Sequence, residues 1–280
     1  MNLLALTGYA ILAAICWGSA DFLAARVSVL LDSGHVAALI SVVALILAAG
    51  FSTLEPPESN IPLEAFVVCF ASGAVAVIGL GMFFGLLSRY PASQVAPSSA
   101  AASSATPAII GIFIDGAVGL IRIVGLITAV IAVCLGSFDK SAPNGRSTYL
   151  PLARPAIAGV LMGVYLATTG YYSDYGLQPV AAAHFGAVMT QVSRRKFPTE
   201  RPALVCAVGC VLAGFLYHLA ALSYRYSSSL GELSVSGAIA SMYPLVTVVL
   251  AIVILRHRPN LIQIAGLALS VFAIGILNIS

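Results

Sequence analysis

Charge is what this sequence has least of. Of its 280 residues only 8% are Asp, Glu, Lys or Arg, while 60% are hydrophobic; a soluble domain carries roughly 25% charged residues. Together with a mean hydropathy of +1.03, that scarcity excludes a soluble globular chain and predicts a polytopic membrane protein in contact with a lipid bilayer. The formal net charge is +3 and the longest basic run is Arg194-Arg195-Lys196, so nucleic acid is excluded as a partner. Tryptophan occurs once, at Trp17. Cys16, Cys69, Cys134, Cys206 and Cys210 all fall in apolar stretches, with no histidine at ligand spacing. They read as small packing residues, and neither a metal site nor a cofactor is expected. The N-terminal stretch MNLLALTGYAILAAICWGSADF lacks a basic n-region and outruns the roughly 7–15 apolar residues of a signal-peptide core. It reads as a retained first membrane helix. No loop is long enough for a nucleotide-binding domain, and GLGMFFG, Gly79 to Gly85, is a helix-packing pattern rather than a dinucleotide fingerprint after a strand. ATP-driven transport by this chain alone is therefore excluded.

What the chain has in abundance is apolar runs of about 20 residues, the length that crosses a hydrocarbon core of roughly 30 Å. Ten are predicted, over 3–25, 35–54, 62–88, 92–114, 118–137, 153–175, 178–193, 202–226, 229–255 and 260–279. The seventh, PVAAAHFGAVMTQVS, is short and carries His184 and Gln191. The longest connection, 138–152, combines Pro, Asn-Gly and charge, which makes it a linker between halves 1–137 and 153–280.

The halves repeat one another. LLSRYPAS (Leu86 to Ser93) precedes a small-residue helix with a Thr106-Pro107 step and then IVGLITAVIAVCLG. LSYRYSSS (Leu222 to Ser229) likewise precedes a small-residue helix with a Tyr243-Pro244 step and then IAGLALSVFAIGIL. An odd number of helices per copy inverts the second copy in the membrane. The predicted fold is thus all-α, with ten transmembrane helices as two inverted five-helix repeats around a central cavity. Arg26, Arg89, Lys140, Arg146, Arg154, Arg194, Arg195, Lys196, Arg201, Arg256 and Arg258 fall in one set of loops, against Arg122 and Arg225 in the other. By the positive-inside rule both termini face away from the cytoplasm, provided the seventh segment spans.

Within CWGSADF (Cys16 to Phe22), Trp17 and Asp21 lie four apart and share a helix face. An aromatic plate beside a carboxylate can hold an ammonium group, and an acid at membrane depth can exchange a proton during a transport cycle. The alternative is that Asp21 reaches the interface and pairs with Arg26. Tyr165, Thr169 and Tyr172 form a polar stripe on the sixth helix, with Tyr165 expected to line a cavity; Tyr171, Tyr172 and Tyr175 also fit a membrane interface. Tyr217 and His218 fall near mid-membrane in the eighth helix, where a histidine can relay protons or simply pack; His184 is a weaker instance. Glu232 opens the ninth helix, either coupling protons or complementing the helix's positive end. Ser236 and Tyr243 follow on a similar face, before Pro244 frees backbone carbonyls. The expected substrate site is Trp17, Asp21, Tyr165, Tyr217, His218 and Tyr243, with Asp21, His218 and Glu232 as candidates for proton coupling.

WGSADF, RYPASQVAPSSAAASSATP and the stretch ELSVSGAIASMYPLVTVVLAIVILRHRPNLIQIAGLALSVFAIGIL, Glu232 to Leu277, resemble the drug/metabolite transporter superfamily, specifically its ten-helix EamA-type members. Two departures stand out: Asp115-Gly116 and Arg256-His257-Arg258 replace the family's usual Gly-Glu pairs, and Asp21 stands where relatives often carry Asn. The resemblance implies a proton- or gradient-coupled, or facilitative, carrier of small metabolites, commonly an exporter of amino acids or related compounds, in the bacterial inner membrane. No Lys or Arg lies at mid-helix to meet an anion, so a zwitterionic or cationic solute is expected. A flippase for lipid-linked sugars is the alternative within transport. An intramembrane enzyme is not expected: FASG (Phe70 to Gly73) has Ala where a G-x-S-G motif needs Gly, and Asp115 follows its helix.

Overall fold

The computed structural model describes residues 3–54, 59–87, 92–115, 119–136, 153–194, 202–231, 233–254 and 260–279. Glu232, the linker 138–152 and most of the basic loop residues lie outside them. The described residues form α1 (Leu3–Val27), α2 (Ser33–Leu54), α3 (Leu63–Leu87), α4 (Ala92–Asp115), α5 (Leu120–Gly136) and α6 (Ala153–Tyr171), then α7 (Gln178–Ser193), α8 (Leu204–Ser229), α9 (Leu233–Ala240), α10 (Tyr243–Ile254) and α11 (Leu261–Ile279). No strand occurs among them. Among the described residues five segments are long and apolar enough to cross a bilayer: α1, α2, α3, α8 and the α9–α10 pair; α4, α5 and α11 contain shorter apolar stretches.

Large apolar side chains point outward and small ones inward, the reverse of a soluble bundle. Leu204, Val208, Val211 and Phe215 make an exposed stripe along α8, while Ala10, Ala13, Ala20 and Ala24 of α1 are buried. Lipid solvates the outer leucines as well as a core would, so small residues at the contacts, letting backbones approach, hold the helices together. Glycines mark the tightest approaches. A methyl at Gly73 would overlap the Ala183 backbone, and one at Gly186 would overlap Phe70; the two reciprocal contacts lock α3 antiparallel to α7. Gly159 and Gly163 bring α6 against Ser99, Ser103 and Thr106 of α4. The most extensive pairings are α1 with α8, α5 with α11, α4 with α6, and α3 with both α7 and α6; α2 packs on α7 and α8, α4 on α9, and α1 on α10.

Two helix boundaries depart from the sequence reading. The sixth helix stops at Tyr171; a 3-10 turn over Ser173–Tyr175 and Gly176 at φ 66° turn the chain into α7, a backbone state that favours glycine. The ninth segment is not one helix but two, α9 and α10, parted at Ser241 and Met242. Pro244 lacks a backbone N–H and its ring crowds the carbonyl four residues back, at Ala240, where α9 ends. Pro107 leaves α4 continuous.

The turn before α3 is tied to α7 by one side chain. Gln178 Oε1 accepts from the Ile61 amide at 2.8 Å and its Nε2 donates to the Ser59 carbonyl at 3.2 Å. Replacing Gln178 by Ala is expected to lower stability by about 1–2 kcal/mol, read as a lower unfolding midpoint in detergent, with solute binding unchanged.

Candidate functional site

Where α1, α2, α3, α6, α7, α8 and α10 converge, the helices leave a cavity of about 80 Å3. At about 10–15 Å3 per water it holds roughly six waters, comparable to the heavy-atom count of a small amino acid or amine. Trp17 and Asp21 enter from α1, Tyr165 from α6, Tyr217 from α8 and Tyr243 from α10. Most of the remaining wall is apolar, from Ile40, Val77, Leu80, Met162 and Leu166. Five of the six residues expected from sequence to bind substrate therefore share one space.

Asp21 is 3% exposed. Its Oδ1 accepts a hydrogen bond from the Tyr217 hydroxyl, so it pairs across the bundle with α8 and not with Arg26. Among the described residues no Lys or Arg lines the cavity. Trp17 forms an aromatic wall with Tyr224 and Tyr243, at ring-centroid distances of 5.6 Å and 6.4 Å. Tyr224 Oη donates to the Leu166 carbonyl at 2.9 Å and Tyr243 Oη donates to Ser103 Oγ at 3.3 Å, which fixes both rings. Gly18 lets the α10 backbone close on α1, where Thr247 Oγ1 donates to the Gly18 carbonyl at 2.9 Å. The α1–α10 contact holds Trp17 against Tyr243.

His218 does not join them. Successive helical residues project about 100° apart, so with Tyr217 turned to Asp21 the neighbouring ring is directed toward α2, 5.2 Å from Phe51. Its two nitrogens are buried without partners. Of the polar stripe on α6, Tyr165 alone reaches the cavity: Thr169 Oγ1 returns to the Tyr165 carbonyl at 2.7 Å, and Tyr172 lies beyond the helix, clustered with Tyr171 and Tyr175. His184, from the seventh segment, lines the cavity as well. A lone histidine in a short helix gave no periodic signal; the glycine-locked approach of α7 to α3 is what brings it there.

A second, more polar cavity of about 470 Å3 lies at the ends of α6 and α8, walled by Gly170, Ser173, Asp174, Ser228 and Leu233 among others. Tyr224 stands between the two spaces, in contact with Trp17 on one side and approached by Gly170 on the other.

A bundle of apolar helices enclosing an aromatic cavity, with one buried acid among the described residues, is that of an integral membrane protein. Residues 155–279 match the EamA-like transporter family, a family of membrane transporters within the drug/metabolite transporter superfamily; the second half of the chain is similar to it. A crystal structure of another protein superposes with a TM-score of 0.78 over 97% of this chain and 95% of that one, at 13% sequence identity, a likeness of fold alone. No curated protein matches the sequence.

Proposed function

We propose that this chain is a secondary transporter that carries a small zwitterionic or cationic metabolite, in the export direction its resemblance implies, across the bacterial inner membrane. It works by alternating access, with halves 1–137 and 153–280 as two inverted five-helix repeats giving ten spans, and with Trp17, Asp21, Tyr165, Tyr217 and Tyr243 holding the solute. The observation that carries the reading is the cavity's acid, Asp21, the single one among the described residues, set beside an aromatic wall with no described basic side chain. Such a wall attracts an ammonium group by charge and by the ring quadrupoles and offers an anion no partner. Asp21 is also the group best placed to exchange a proton with the cycle.

The packing supports the inverted repeat. If α6, α7, α8, the α9–α10 pair and α11 are the second copies of α1 to α5, a twofold relation exchanges each contact with its counterpart. The α1–α8 contact exchanges with α6–α3, α2–α8 with α7–α3, and α4–α6 with α10–α1, while α2–α7, α4–α9 and α5–α11 map onto themselves; all of these pairings occur.

Trp17 is the only tryptophan and lines the cavity, so its fluorescence in purified, detergent-solubilised protein reports on that site. Non-aromatic amino acids or amines are expected to change it saturably, and sugar phosphates and organic anions to leave it flat. Saturable binding confined to an anion would overturn the reading.

A further inference from the structure

The polar groups around the cavity are not equally satisfied. Asp21 has Tyr217, Tyr243 has Ser103, and Ser41 Oγ returns to the Ala37 carbonyl at 2.8 Å. Tyr165 Oη and His184 have nothing. Neither has a hydrogen-bond partner among the described residues, although His184 is 8% exposed, with its Nε2 closed off from water. Their rings lie 6.0 Å apart on the same cavity wall. Nearby lining residues from α3 and α7, Gly73, Ala76, Val77, Ala183 and Ala187, offer no polar side chain. His184 Nε2 is buried without a partner and Tyr165 is partly buried beside it; an unpaired buried polar atom is unfavourable, and native proteins keep one where something else supplies the partner.

The two groups are also held in place. Gly73 and Gly186 press the backbones of α3 and α7 together on either side of His184, and Gly163 seats α6 on Thr106 of α4 two residues before Tyr165. A phenol O–H and an imidazole N–H, neutral and fixed, are donors suited to a carboxylate, and unlike a lysine they strand no charge when the cavity is empty.

We propose that Tyr165 and His184 are the second anchor of the solute site, donating hydrogen bonds to a carboxylate of the same solute whose ammonium group meets Asp21 and Trp17. The transported class is then amino acids rather than simple amines, because an amine satisfies Asp21 and leaves Tyr165 and His184 unpaired. A site built around a polar group rejects the analogue that lacks it far more strongly than an apolar pocket rejects a missing methylene. This inference rests on reading the cavity as the solute site.

The test compares non-aromatic amino acids with their decarboxylated amines, titrated against the full chain by Trp17 fluorescence. Wild type is expected to prefer the amino acid of at least one pair. Tyr165→Phe and His184→Leu are each expected to raise Kd for that amino acid by about 10-fold or more while moving Kd for its amine less than about 2-fold. His184→Leu removes an unpaired polar group in favour of an apolar one of similar size, so its unfolding midpoint is expected to hold or rise. Tyr165→Phe keeps the ring and carries the test if His184→Leu fails to fold. Equal losses for amino acid and amine, or none, overturn the second anchor and leave the cavity as a solute site. Failure of wild type to bind any member of either series overturns both readings.

Discussion

Asp21→Asn is expected to weaken binding of a zwitterionic or cationic solute by about 100-fold or more and to abolish its uptake into proteoliposomes, with the unfolding midpoint close to wild type. Asparagine fills the same volume and its amide oxygen still accepts from Tyr217, so the α1–α8 contact survives. What disappears is the one acidic group among the described residues of a cavity whose wall is otherwise mostly aromatic and aliphatic. A buried ammonium deprived of its counter-charge loses about 3–5 kcal/mol, far more than a neutral hydrogen bond supplies. Tyr217→Phe is expected to act more mildly, by about 10-fold, since it keeps the charge and removes the group that orients it. The two effects fall short of adding, because both substitutions touch one interaction. Wild-type uptake by Asp21→Asn would remove the acid from the mechanism.

The largest effect on stability is expected at Gly73 and Gly186. Both sit where the added methyl would meet backbone on the facing helix, not a side chain that could turn aside. Overpacking typically costs about 1–3 kcal/mol, and the absence of a yielding neighbour puts Gly73→Ala and Gly186→Ala at the upper end, about 3 kcal/mol each. The double substitution is expected to fail to fold, or to lose solute binding by moving His184 off the cavity. Gly8 and Gly50 are the controls: a methyl there meets nothing within 4 Å, and each alanine is expected to be neutral or to stabilise its helix by up to about 1 kcal/mol. Thermal unfolding in one detergent separates the two classes, and equal midpoints for Gly73→Ala and Gly8→Ala would refute the account of the α3–α7 contact.

Those glycines also explain which parts of the site were legible in the sequence. Trp17 and Asp21 announced themselves through i, i+4 spacing and the rarity of both residue types in an apolar run, and Tyr165 and Tyr243 through helical faces. Periodicity assigns a residue to a face of its own helix but does not say what that face meets. Asp21 meets Tyr217 across 196 residues, and no local pattern separates Tyr217, which does so, from its neighbour His218, which packs on Phe51. His184 could not be ranked because its position depends on how closely α7 approaches α3. That approach is written in Gly73 and Gly186, on different helices, where each glycine read alone looks like any other membrane glycine. The break between α9 and α10 was foreshadowed by Pro244, whereas the same residue type at Pro107 left α4 whole, so a proline step by itself does not say whether the helix will part.

That break places Tyr243 in an unusual position. It is the first residue of α10, directly after the two-residue interruption that ends α9, and the same side chain lines the cavity, touches Trp17 and bonds to Ser103 of α4. On the function proposed above, a solute that touched the Tyr243 ring would press on the segment beside its one interruption, with no intervening helix between the cavity and the break.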